Sequence, residues 1–98
     1  MVTTMPDAIR DCRAYVLDAL TVAMEDRRAR DDWIEGERMA VAMAANEWAM
    51  AHGYERRVTV EDVEHVEGNA VGHIDYASKL ALYVAEFIID PQSWQVRP

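Results

Sequence analysis

The chain has 98 residues, 51% of them hydrophobic, and a net charge of −8. That is one small domain with enough apolar residues to fold, which excludes a disordered tail. Its acidity excludes general binding to phosphate backbones. Cys12 is the only cysteine, so no intrachain disulfide forms, as suits a reducing compartment. No apolar run reaches the roughly 18–20 residues of a membrane span, and "MVTTMPDAIRDCR" lacks the basic-then-apolar order of a signal peptide. These features predict a cytoplasmic chain with neither nucleic acid nor membrane among its partners.

The first helix is predicted over about 6–28. Thr4 can cap it, Pro6 suits its first turn and Asp7 faces its positive end. Ile9, Cys12, Val16, Ala19 and Ala23 recur at spacings of three and four, and Leu20 broadens the stripe. Tyr15, Leu17 and Met24 widen it further, which predicts neighbours on more than one side. "EDRRARDD", Glu25 to Asp32, has no large apolar residue and contains the turn, with Asp32 and Glu35 at capping-box spacing before Trp33 and Ile34.

The second helix is predicted over 33–52 and ends at Gly53, a good C-terminal cap. Its first stripe is Ile34, Val41, Ala44, Trp48 and Ala51. A second stripe, Met39, Met43 and Met50, reads first as core filling and otherwise as an adaptable binding surface. Gly36, Ala40 and Ala44 form a ridge of small residues that suits a close helix crossing.

Thr59 and Asp62 have capping-box spacing and open the third helix. Val63, Val66, Ala70, His73, Ala77, Leu80, Val84 and Phe87 then keep one phase. That unbroken phase predicts a single helix over 60–89, ended by Asp90-Pro91, even though Gly68 and Gly72 each cost about 1 kcal/mol relative to alanine. A break near Gly72, with Asp75 capping a separate fourth helix, is the alternative. The tail, 90–98, is polar around Trp94. A helix so long and so apolar needs more cover than two shorter helices give, which predicts a homodimer. The predicted partner or dimer interface is Gly68, Gly72, His73, Tyr76, Leu80, Tyr83, Phe87 and Trp94. Gly68 and Gly72 supply a bare patch there, and His73 becomes a hydrogen-bonded seam residue.

The candidates for chemistry are weak. Asp62, His65, Asn69 and His73 lie along one side of the predicted helix, but the two histidines are two turns apart, too far to share an ion. Cys12 has Arg10 and Arg13 nearby, yet it falls on the apolar stripe, as a buried inert thiol does. There is no phosphate-binding loop and no dinucleotide fingerprint. No catalytic residue, cofactor or metal is assigned.

"ERRVTVEDVEHV" resembles the loop and last helix of histone-fold proteins, a likeness that helix capping explains. "AVGHIDYASKLALYVAEFI", with Gly72-His73, Asp75-Tyr76, Lys79 and then "LALYVAEF", resembles small proteins of unknown function encoded by bacteriophages of actinobacteria. That resemblance implies a phage-encoded protein acting in the bacterial cytoplasm, of a kind that binds a host protein and redirects it. The sequence is therefore read as an all-α, three-helix homodimeric domain over 1–98, a non-enzymatic module that binds and modulates a host protein. The alternatives are a phage structural or assembly component acting as an oligomer, and an acidic nucleic-acid mimic or antitoxin-like inhibitor of a basic protein.

Overall fold

Thr4 starts the first helix as its sequence predicts: its hydroxyl accepts from the Asp7 N–H at 3.3 Å and donates to the Asp7 carboxylate at 2.8 Å. The structure, a computed structural model, describes residues 4–30, 34–90 and 92, without the side chains of 26–30, 34 and 35. Among the described residues the chain forms four helices and no strand: α1 (Met5–Arg30), α2 (Ile34–Ala51), α3 (Val60–Ala70) and α4 (Tyr76–Ile89). The capping pair Asp32 and Glu35, with Trp33 and Trp94, lies outside what is described.

Most of the predicted stripes are buried, with Ala51 of the second and His73 of the third exposed. Ala8, Cys12, Val16 and Leu20 of α1 are buried, with Ile9 and Leu17 half-buried beside them. From α2 come Val41, Ala45, Trp48 and Ala49. α2 ends in a Schellman turn: Gly53 takes φ +79°, and the Tyr54 N–H reaches back to the Ala49 carbonyl at 2.9 Å. Asn46 then anchors the connection to α3. Its amide group donates to the Val58 carbonyl and accepts from the Val58 N–H, both at 2.8 Å. Thr59 and Asp62 form the predicted capping box at 3.1 and 3.0 Å.

The predicted single helix over 60–89 is two helices. Helical bonding ends with the Val71 N–H on the Glu67 carbonyl, and resumes with the Lys79 N–H on the Asp75 carbonyl. Between them Gly72 takes φ +94°, a left-handed conformation that side chains with a Cβ rarely adopt. Asp75 occupies the N-cap position of α4, without a side-chain capping bond. A straight helix over these residues would be about 45 Å long, longer than the molecule's 42 Å greatest dimension. The turn folds α4 back among the other helices. α4 rests chiefly on α1, with α3 and α2 completing its cover.

A three-helix junction fixes the corner. The Glu67 carboxylate, almost wholly buried, accepts from Arg38 of α2 through Nε at 3.1 Å and Nη2 at 2.6 Å, and from the Tyr76 hydroxyl of α4 at 3.0 Å. Elsewhere Arg13 of α1 bonds the buried Ser78 hydroxyl of α4, and the Arg56 guanidinium lies 4.0 Å over the Phe87 ring.

The two glycines of the corner respond oppositely to alanine. A Cβ at either position meets open space, so only backbone preference decides. Gly68→Ala, inside α3, raises unfolding stability by about 0.5–1 kcal/mol, whereas Gly72→Ala lowers it by about 1–2 kcal/mol. Urea denaturation checks both; stabilisation by both substitutions is the outcome of a continuous helix.

Candidate functional site

The predicted interface residues separate into distinct environments. Leu80 and Phe87 are buried in the chain's own core. Tyr76 spends its hydroxyl on Glu67, and burial together with that bond holds its pKa well above the ordinary tyrosine value. Tyr83 is half-buried against the core. Gly68, Gly72 and His73 are exposed at the α3–α4 corner, where nothing packs on the glycines. His73 lies beyond the end of α3 and so is not a seam residue: helix α3 stops at Ala70, and His73 sits exposed in the turn before α4. Beside it Val71 and Ile74 are exposed, Ile74 fully.

The candidates for chemistry are dispersed in the same way. His73 is separated from Asp62 and His65 by the end of α3, and among the described residues no group of three His, Cys, Asp or Glu side chains is placed to hold a metal ion. Cys12 is fully buried, and burial, with a smaller contribution from Asp11, pushes its thiol up to about 12. Arg10 and Arg13 do not activate it: Arg10 pairs with Asp7 and Arg13 with Ser78.

The methionine stripe is the largest departure from expectation. Core filling is its default reading, yet Met39, Met43 and Met50 are 52%, 65% and 67% exposed. They lie on the outer face of α2, turned away from the buried stripe of Val41, Ala45, Trp48 and Ala49. On α1, Tyr15 and Val22 are exposed as well. The two helices enclose a shallow groove of about 470 Å³ lined by Tyr15, Asp18, Ala19, Val22, Ala40, Met43, Ala44 and Glu47. It continues through Asp11, Ala14 and Ala51 toward Trp48 and His52, and then to Asp7 and Tyr54.

The floor of this groove is apolar and its edge is rich in carboxylates, with His52 3.7 Å from Asp11 and Arg10 paired with Asp7. Asp7, Asp11, Asp18 and Glu47 line it, and no lysine or arginine does among the described residues. Three of the four are held in place. The Tyr15 hydroxyl donates to Glu47 at 2.8 Å, which raises the tyrosine pKa. The Trp48 indole N–H donates to Asp11 at 3.0 Å, and Asp7 is held by Thr4 and Arg10. The Trp48 ring stacks with His52 at 4.1 Å and with Tyr54 at 5.4 Å. The other end of the groove has the flexible Met43 side chain on its wall.

Sequence reading reaches this groove through Met43 of the methionine stripe, Ala40 and Ala44 of the small-residue ridge, and Tyr15 on the second apolar side of α1. Tyr15, Asp18 and Val22 follow helical spacing on that side, but which helix lies opposite is set by the fold. Compared with protein-family models, curated proteins and solved structures, the chain matches none.

The Cys12 environment gives a direct check. Iodoacetamide at pH 8 leaves the native thiol unmodified and alkylates it fully in denaturant, because the reactive thiolate is populated only once the side chain is released. The sign on stability follows: the folded pKa lies above the ordinary 9.0, so this contribution is complete below about pH 9 and is lost as pH rises toward 12.

Proposed function

We propose that this chain is a non-enzymatic protein-binding module whose partner docks on the outer face of α1 and α2. One observation carries the reading: Val22, Met39, Met43 and Met50 are each more than half exposed on two neighbouring helices, and clustered apolar exposure marks interaction surfaces on small proteins. Methionine suits such a surface, because its flexible thioether adapts to partner side chains without a fixed socket. The buried, unactivated Cys12 fits a module without nucleophilic chemistry.

The resemblance of the C-terminal third to small phage proteins gives the setting: a phage-encoded protein that binds and modulates a host protein in the bacterial cytoplasm. An inhibitor of a basic protein is the second reading, favoured by the acidic edge of the groove. Self-association belongs to a different surface. The exposed Val71 and Ile74 beside Gly68, Gly72 and His73 support it at the α3–α4 corner.

Photo-crosslinking locates the docking face. A benzoylphenylalanine replacing Met43 captures one adduct of defined mass in a host lysate, and the same group replacing Glu61, on the exposed side of α3, does not. No adduct from Met43, or the same adducts from both positions, contradicts the proposal.

A further inference from the structure

The groove's chemistry narrows what occupies it, on the reading that this groove is the docking surface. We propose that the occupant is a basic amphipathic α-helix of a partner protein, laid along α1 with its apolar stripe on Tyr15, Val22 and Met43 and its arginines or lysines against Asp11, Asp18 and Glu47.

Three observations carry this. The first is backbone satisfaction. Both walls are helices whose interior N–H and C=O groups are already bonded within the helix, and among the described residues there is no strand edge to extend. An extended peptide on such a floor would bury its own N–H and C=O groups unpaired, at a cost for each one. A helix satisfies its backbone internally and presents only side chains.

The second is length. The lining residues run from Asp7 to Val22 along α1, about 22 Å at 1.5 Å per residue, or about four helical turns. That is room for an apolar stripe of four or so anchors at helical spacing.

The third is charge. The charged lining is Asp7, Asp11, Asp18 and Glu47, with no described lysine or arginine, on a chain of net charge −8. Asp18 is exposed and lines the groove midway along α1. The same field opposes a second copy of this chain, which would set carboxylates against carboxylates.

Titration of fluorescent synthetic helices onto the full chain, read by anisotropy, tests the proposal. One peptide carries a leucine stripe flanked by lysine and arginine. The second has the same composition scrambled so that the stripe is lost. The third has glutamate for every basic residue. The first binds at micromolar concentration, at least about tenfold more tightly than the scrambled peptide, and the acidic peptide does not bind. Raising the salt to ~0.5 M weakens the first about tenfold. Asp18→Lys with Glu47→Lys, or Val22→Ser with Met43→Ser, weakens it at least about tenfold. All four positions are on the surface, and circular dichroism confirms that the variants are folded.

Equal binding of the scrambled peptide, preference for the acidic one, or no binding at all overturns the proposal. So does tighter binding of a labelled second copy of the chain. If the crosslinker at Met43 captures a partner while the basic helix fails to bind, the groove remains the docking surface and only this assignment of its occupant falls. If neither succeeds, both fall.

Discussion

A helix that is apolar nearly all round has to be covered on every side, and α4 is that helix. Leu80, Ala81, Val84, Ala85, Phe87, Ile88 and Ile89 are all buried in a single copy of the chain. Its larger side chains contribute about 1.5–3 kcal/mol each when removed from water, which makes α4 the largest single claim on the other helices. Ala81 and Ala85 are wholly buried and let neighbouring backbones come close. α1 meets most of this claim, with α3 and α2 covering the rest.

That cover is possible within one chain because the backbone turns at Gly72. Without the turn, α4 would extend straight on from α3, and much of its apolar surface would have no partner in the same copy. The junction of Arg38, Glu67 and Tyr76 then holds α2, α3 and α4 at their corner. A buried carboxylate is costly alone, but here it receives a two-pronged guanidinium and a hydroxyl, the geometry that offsets desolvation most fully. What is left exposed after α4 is covered is the α3–α4 corner, with Val71 and Ile74, and the outer face of α1 and α2. The exposed methionines and the acidic edge are found there.

Much of the core was legible in the sequence. The spacing of Val63, Val66, Ala70, Leu80, Val84 and Phe87 identifies core residues correctly, and Thr59, Asp62 and Gly53 mark helix ends that the structure contains. Periodicity misled on continuity. It reports which face a residue takes, not whether the backbone between two such residues is helical. The turn from Val71 to Asp75 returns the chain to the core in the phase it left, so the stripe runs through a break. The local signals of that break were Gly72 and the Asp75 that precedes the apolar run, and they carried less weight than the phase. The methionine stripe is ambiguous for a related reason: Met39, Met43 and Met50 sit at helical spacing whether they face a core or solvent. Only the position of α1 across the groove, a tertiary fact, tells the two apart.

Because the backbone turns at Gly72, the chain covers α4 by itself, and exposed apolar side chains remain on the outer face of α1 and α2 and at the α3–α4 corner. Amide hydrogen exchange on the free chain tests that role of the turn most directly. The amides of α4 around Leu80 to Phe87 are expected to exchange slowest, and those of 71–75 to exchange quickly between two protected helices. Continuous protection from 60 to 89, with slow exchange through Gly72, would contradict it.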